Sequence, residues 1–316
     1  MTTAQRSPAT RWTRALSATA ALAMLGIAGW LLHRYLQAMR WRDFSAAWSQ
    51  LPARDIVASA LAGMLSFAML AAFEMQAVRL TAGERVSLRR AAFAGAVSNA
   101  IGNLLGFHAI TTSAVRYRIY GPAGLGAGDI ARIVGVAGMG VGLGFAVVIA
   151  GALCWEPAIT DGWGRWPGLA LVGALAAWWW WLGAAPRELA LGGWTLKFPD
   201  ARHAAVQMLI GAVEMTAAIA ALYVLLPAGI APPFVDFLPV YVAAVLAGLV
   251  SHAPGGLGVF ETILLASFTQ AQRPDLLAAI LCYRLTYTLG PFVFGSVALA
   301  AFELRRRRCE TRGAAA

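Results

Sequence analysis

Charge is what this sequence has least of. Only 13% of its 316 residues are Asp, Glu, Lys or Arg, and 59% are hydrophobic. A soluble domain carries about 25% charged residues. Half that charge leaves too little polar surface to keep a globule in water, which makes lipid the expected solvent. Cysteine is scarce as well. Cys154, Cys282 and Cys309 are far apart and odd in number, which excludes a disulfide framework and a zinc-type spacing. The apolar stretch from Ala15 to Leu32, preceded by Arg6, Arg11 and Arg14, has no small-residue cleavage site. His33-Arg34-Tyr35 follows it, so an uncleaved first span is expected rather than a removed signal. The apolar segments also lack the two-residue alternation of barrel strands, which leaves helices.

What the sequence does have is a set of long apolar segments and an excess of basic charge. The net charge is +10. In a soluble chain this would point to nucleic acid. Here the arginines sit between apolar segments and at both ends, where topology signals and contacts to anionic headgroups belong, so membrane lipids are the expected partners and nucleic acid is not. The segments fall at about 15–36, 56–78, 91–115, 133–154, 166–183, 204–226, 237–250, 259–268 and 276–302. Trp41, Phe44, Trp48 and Leu51 recur at helical spacing among polar residues, which predicts a short interfacial amphipathic helix. Trp178–Trp181 suit either an interfacial aromatic belt or plain lipid-facing bulk.

Two segments do not read as simple spans. One runs from Ser98 through Asn99, Gly102, Asn103, Gly106 and His108 to Arg118. The other runs from Gly248 through Ser251, His252, Pro254, Gly255, Gly256 and Gly258 to Glu261. Each puts glycines, a histidine and amide or hydroxyl groups at bilayer depth, where freed backbone groups must face protein or water. Broken segments at corresponding places in two halves point to a transporter's site. If both are re-entrant hairpins, the arginines at 79, 85, 89, 90, 116, 118, 132, 187 and 202, Lys197 and the Arg305–Arg308 run all lie inside with both termini. The outside loops 155–164 and 227–233 then carry no basic residue; a loop with Arg34, Arg40, Arg42 and Arg54 is the exception. The expected fold is an all-α polytopic membrane protein of about six full spans plus two re-entrant helical hairpins, arranged as an inverted repeat. It forms a single transmembrane domain, with halves at about 15–154 and 166–302 and a basic cytoplasmic tail over 303–316.

Ionisable groups inside spans are rare because each costs roughly 2.5–3.5 kcal/mol at a helix centre. Glu74, His108, Glu214, His252, Glu261 and Arg284 all sit in apolar context. They read either as a polar pathway for a headgroup, with a proton relay, or as buried ion pairs such as Arg284 with Glu261 or Glu214. Glu74, near the end of its span, is expected to snorkel to the interface. His108 and His252 occupy the two breaks, as packing residues or proton carriers. Asn99 and Asn103, four apart, share a helical face and either line a pore or cap a broken helix. Arg116 and Arg118 follow the first break at a spacing that suits the two sides of a phosphate; positive-inside anchoring is the bland alternative. Pro254-Gly255-Gly256-Leu257-Gly258 lacks the lysine and flanking strand of a phosphate loop, so its use is to unwind a helix and expose backbone N–H groups. No cofactor, nucleotide or metal is expected.

The same segments carry a resemblance. Gly102 to Phe107 continuing through Ala114 to Tyr120 and Ala123-Gly124-Leu125, Ser251 to Glu261, Tyr223 to Pro227, and Tyr283 to Tyr287 resemble the signature of the lysylphosphatidylglycerol synthase transmembrane family. The similarity is to the membrane half of the bifunctional aminoacyl-phosphatidylglycerol synthases and flippases. Thr111-Thr112-Ser113 departs from the family pattern, where more glycine is expected. With the sequence reaching Ala316 just after Arg305–Arg308, the soluble synthase domain of those proteins is not expected here. The resemblance therefore implies the lipid-translocating half without synthase activity. It also supplies most of the weight for Arg116 and Arg118 as phosphate ligands. The cargo implied is a phospholipid, with aminoacylated phosphatidylglycerol or a lipid-linked precursor as candidates, in a bacterial inner membrane. A further copy of the chain or a separate synthase is an open partner. The competing classes are a membrane transferase, for which Asp129, Glu156 and Asp161 form no catalytic set, and a scaffold subunit of an envelope-lipid synthase.

Overall fold

A computed structural model describes residues 41–155, 161–184, 188–191, 194–197, 200–229, 231–250, 254–268 and 274–313. The expected first span at 15–36 lies outside these residues. Helix α1, Trp41–Gln50, is the short amphipathic segment. It is followed by α2 (Ala53–Thr81), α3 (Leu88–Leu105), α4 (His108–Tyr120), α5 (Ala127–Cys154) and α6 (Arg165–Ala184). After a small hairpin come α7 (Ala201–Tyr223), α8 (Phe234–Val250), α9 (Val259–Ser267), α10 (Pro274–Tyr283) and α11 (Gly290–Gly313). Helices α2, α5, α6, α7 and the α10–α11 unit are each long and apolar enough to cross a membrane. The chain is an all-α polytopic membrane protein.

The spans form because their apolar runs close every backbone hydrogen bond within the segment, which lipid demands. Their ends carry local signals. The Ser87 hydroxyl accepts from the Arg90 N–H at the start of α3. Asp200 accepts from the His203 N–H at the start of α7, and this bond with that to the His203 ring holds its carboxyl below the usual range. Pro291 has no N–H to continue the α-helical ladder. Just before it, over Arg284–Leu289, the chain winds as a π-helix, and the Gly290 N–H reaches back to the Leu285 carbonyl.

Small residues set how the helices meet. A side chain on Gly211 of α7 would put its Cβ 2.5 Å from the Gly144 Cα of α5, so the two backbones touch at a glycine–glycine crossing. Gly140, one turn from Gly144, is filled by the Phe73 ring of α2. Buried apolar side chains gather in two clusters. One surrounds α3 and α4, with Ile119, Tyr120 and Ile133 at its centre. The other surrounds α8 and α9, with Ile219, Leu222, Phe237 and Ile280. By contrast α6 buries only Gly168 and Leu182, and Trp179 and Trp180 stand exposed, as a lipid-facing helix would.

Two features go beyond the expected spans. One is that strands β1 (Glu188–Leu191) and β2 (Trp194–Lys197) pair antiparallel in the connection between α6 and α7, with Glu188 opposite Lys197. The other is that α11 continues as helix through the basic run Arg305–Arg308 to Gly313.

Candidate functional site

Both breaks are real breaks. At the first, α3 ends on Gly106 (φ 73°) and Phe107 takes a left-handed conformation (φ 42°, ψ 48°) before α4 begins at His108. Helix α4 then folds back along α3. A Cβ on Gly102 would lie 2.5 Å from the Thr112 methyl and 3.0 Å from the His108 ring, so only glycine lets the hairpin close. Thr111 secures the turn by donating to the Gly106 carbonyl at 2.9 Å. The 18 and 13 residues of the two arms span roughly 27 and 20 Å, shorter than the ~30 Å hydrocarbon core.

At the second break, Pro254–Gly256 form a tight turn with Gly255 and Gly256 at φ near +60°, and Gly258 at φ 85° precedes α9. Helix α9 returns along α8, pairing Phe260 with Tyr241 and Phe268 with Phe237. The two breaks meet. A Cβ on Gly255 would lie 3.4–3.5 Å from the Leu104 and Asn103 carbonyls at the end of α3. Gly256 rests in the same way on Gly248 of α8.

Where the hairpins meet, a cavity of about 620 Å³ opens. Asn99, Gly102, Asn103, Gly106 and His108 line it from the first hairpin, Gly248, Gly255 and Gly256 from the second. Arg284 and Tyr287 of the π-helix, Tyr283 of α10, Tyr241 of α8 and Glu214 of α7 complete the polar wall. Asn99 donates to the Gly95 carbonyl at 2.8 Å, one turn back on its own helix.

The second break is pinned by an ion pair. The Arg284 Nε donates to Glu261 Oε1 at 2.7 Å, and Nη1 donates to the Gly255 carbonyl at 2.6 Å. Nη2 lies 2.6 Å from the same Oε1 but is not aligned for a hydrogen bond. The other carboxylate oxygen of Glu261 accepts the Gly258 N–H at 2.7 Å, which caps α9. The guanidinium also sits 4.7 Å from the Phe260 ring centre. One pair thus holds the turn, the helix start and the cavity wall together. Glu214 is different. It is 4% exposed and its Oε1 accepts from Ser66 of α2 at 2.8 Å, but no cation lies within ion-pair distance among the described residues. Ser66 in turn bonds Tyr287 at 2.8 Å, and Tyr241 bonds Tyr283 at 2.6 Å.

Three expectations need revision. Arg116 does not face the cavity. It is buried against Glu74, with Nε 2.9 and 3.0 Å from the two carboxylate oxygens and Nη2 2.7 Å from Oε2. The Tyr120 hydroxyl donates to the same carboxylate at 2.8 Å. Glu74 therefore does not snorkel; it is fully buried and ties α4 to α2. The guanidinium fork is occupied, because an unpaired charge at that depth would cost more than any loss of access. Arg118 is exposed on α4, outside the cavity wall, so the two arginines do not form a phosphate fork. His252 lies outside the described residues. Ser66, Tyr241, Tyr283 and Tyr287 are site residues that the sequence reading does not name as such; for Tyr283 and Tyr287 the signals are their i, i+4 spacing and their place in a segment that carries the family resemblance.

Comparison with known proteins places the chain among membrane proteins. The uncharacterised protein slr0712 of Synechocystis is 30% identical over 295 residues, covering 89% of this chain and 88% of that one. The chain belongs to the lysylphosphatidylglycerol synthase transmembrane family. The inner membrane protein YbhN of Escherichia coli, 26% identical over 215 residues, covers 64% of this chain and 66% of its own length. The phosphatidylglycerol lysyltransferase of Staphylococcus aureus, 34% identical over 100 residues, matches this family member over 30% of the chain but only 12% of the enzyme. No protein-family model matches the chain.

Proposed function

We propose that the chain is a lipid transporter of a bacterial inner membrane. The cavity receives the headgroup of a phospholipid or a lipid-linked precursor while the acyl chains stay in the bilayer. The observation that supports this most is the meeting of two broken helical hairpins at a cavity walled by an arginine, a carboxylate, two amides and a histidine. Irregular backbone at bilayer depth is tolerated where it faces protein or water, and here it faces the cavity. Arg284 supplies the positive charge that a phosphate seeks, and its partner Glu261 keeps that charge affordable when the cavity is empty of headgroup. Arg116 holds the first hairpin in place rather than meeting cargo. The relation to a phosphatidylglycerol lysyltransferase favours phosphatidylglycerol or its aminoacylated form as cargo, and the relation to YbhN favours the inner membrane.

The test is reconstitution into vesicles of phosphatidylglycerol and phosphatidylethanolamine with a trace of fluorescent phosphatidylglycerol, bleached from outside with dithionite. Transport lets dithionite bleach the label of both leaflets. Asn103→Trp, at the half-buried cavity wall, slows it. Bleaching that stops at the outer-leaflet pool, as in protein-free vesicles, overturns the proposal.

A further inference from the structure

Glu214 is the one described cavity residue with a carboxylate and no cation. Its Oε1 takes the Ser66 hydroxyl. The groups that face it are Tyr287 of the π-helix and Tyr283 and Tyr241 of α10 and α8, with Arg284 and His108 elsewhere on the cavity wall. The side chains that α5 contributes to that wall, Val141 and Phe145, are apolar. Arg284 is engaged by Glu261 and Gly255. A lone carboxylate withdrawn from water pays heavily for its charge and escapes by holding a proton.

A second observation lies on the same face of α7. Gln207, two turns before Glu214, is fully buried, and neither atom of its carboxamide has a hydrogen-bond partner among the described residues. Helices α2 and α7 run antiparallel, with Ser66 beside Glu214 and Gln76 beside His203, whose carbonyl accepts from Gln76 at 3.1 Å. The buried Oε1 of Gln76 is likewise unpartnered. Buried amides without partners are the places where a protein keeps internal water. They form a polar stripe of roughly 16 Å, at 1.5 Å per residue, from Glu214 down to His203 at the start of α7. Glu214 lies on the cavity wall at one end of this row, and at the other His203 meets Asp200 at the exposed start of α7.

We propose that Glu214 is the proton-carrying group of the cavity, and that the stripe through Gln207 to the Gln76–His203 contact is the path by which its proton exchanges with water at the start of α7. The carboxyl O–H bond breaks, the electron pair stays on the carboxylate oxygen, and the proton passes to water along the stripe; the reverse step reloads it. Resting on the transporter reading above, this makes a proton gradient the energy source. A headgroup entering the cavity wets Glu214 and favours release, and closure favours reloading.

Two measurements on the full chain test this separately. The first is infrared difference spectroscopy in phosphatidylglycerol–phosphatidylethanolamine nanodiscs as pH is stepped from acid to alkaline. A protonated-carboxyl band that persists at neutral pH, titrates in alkali and is absent from Glu214→Gln supports the site. In Gln207→Leu the same band should survive but exchange with deuterium more slowly. An identical spectrum in Glu214→Gln, or a carboxylate already ionised at neutral pH, overturns the site; unaltered exchange in Gln207→Leu overturns the path. The second is the vesicle assay with an imposed pH gradient. The wild type should respond to the gradient, Glu214→Gln should lose the response, and Glu214→Asp should keep part of it. A gradient response that survives in Glu214→Gln overturns the coupling. Absence of lipid movement in the wild type, with the infrared band present and lost in Glu214→Gln, overturns the transporter reading and supports the proton site.

Discussion

The Glu74–Arg116 pair is the sharpest place to test the structure. The carboxylate is fully buried and the guanidinium 4% exposed, with three N–H···O contacts of 2.7–3.0 Å and a fourth bond from Tyr120. Removing one partner strands the other charge, which costs about 3–5 kcal/mol. At about 1.4 kcal/mol per factor of ten, that is roughly two to three and a half decades in the folding equilibrium. Arg116→Met and Glu74→Met should each lose this much. The double variant should recover most of it, since both charges leave and two apolar side chains of similar length take the space. What remains is the Tyr120 hydroxyl, now without an acceptor, at about 1–3 kcal/mol, and adding Tyr120→Phe should remove that too. Denaturant unfolding in mixed micelles measures all four. Neutral single variants, or a double variant whose loss equals the sum of the singles, would refute the buried pair. The triple variant also decides the role of Arg116. If it is stable and moves lipid like the wild type, the arginine is a strut; if it is stable but inactive, the arginine belongs to the headgroup path after all.

Other substitutions probe the frame of the cavity. Gly211→Ala drives a methyl to 2.5 Å from the Gly144 Cα, where backbone must shift, and should cost about 1–3 kcal/mol by unfolding; wild-type stability would refute the crossing. Phe107→Asn keeps the left-handed turn with a residue that tolerates it and should gain up to about 1 kcal/mol, so a clear loss would show the Phe107 ring to be needed. Glu261→Gln leaves Arg284 without its carboxylate and should cost about 3 kcal/mol in the same assay. Arg284→Lys should not substitute for Arg284, because an ammonium cannot serve the Glu261 oxygen and the Gly255 carbonyl from one planar fork; stability equal to wild type would refute that geometry.

Much of this was legible along the chain. The spans at α2, α5, α6, α7 and α10–α11 follow from length and apolarity alone, because a helix in lipid closes its hydrogen bonds locally and needs no partner to exist. The interruptions at Gly106 and at Pro254–Gly258 are local too, since proline and left-handed glycine break a helix wherever they stand. That Arg284 would meet a carboxylate followed from the cost of a lone buried charge; the choice of Glu261 over Glu214 did not. Arg116 reads as a phosphate ligand from its spacing to Arg118 and from the family resemblance, and its sequence neighbours say nothing about α2, whose Glu74 lies 42 positions earlier. Ser66, Tyr241 and Gln207 passed unnoticed, since a hydroxyl or amide in an apolar run has no distinctive spacing until other helices are placed around it. The sequence by itself determined which segments are long apolar helices and where they break, both properties of one stretch of chain in a low-dielectric medium. Only the packed structure decided which carboxylate each arginine meets, that the two breaks touch, and that Glu214 meets Ser66 but no cation among the described residues, because partner choice is a matter of which helix faces which.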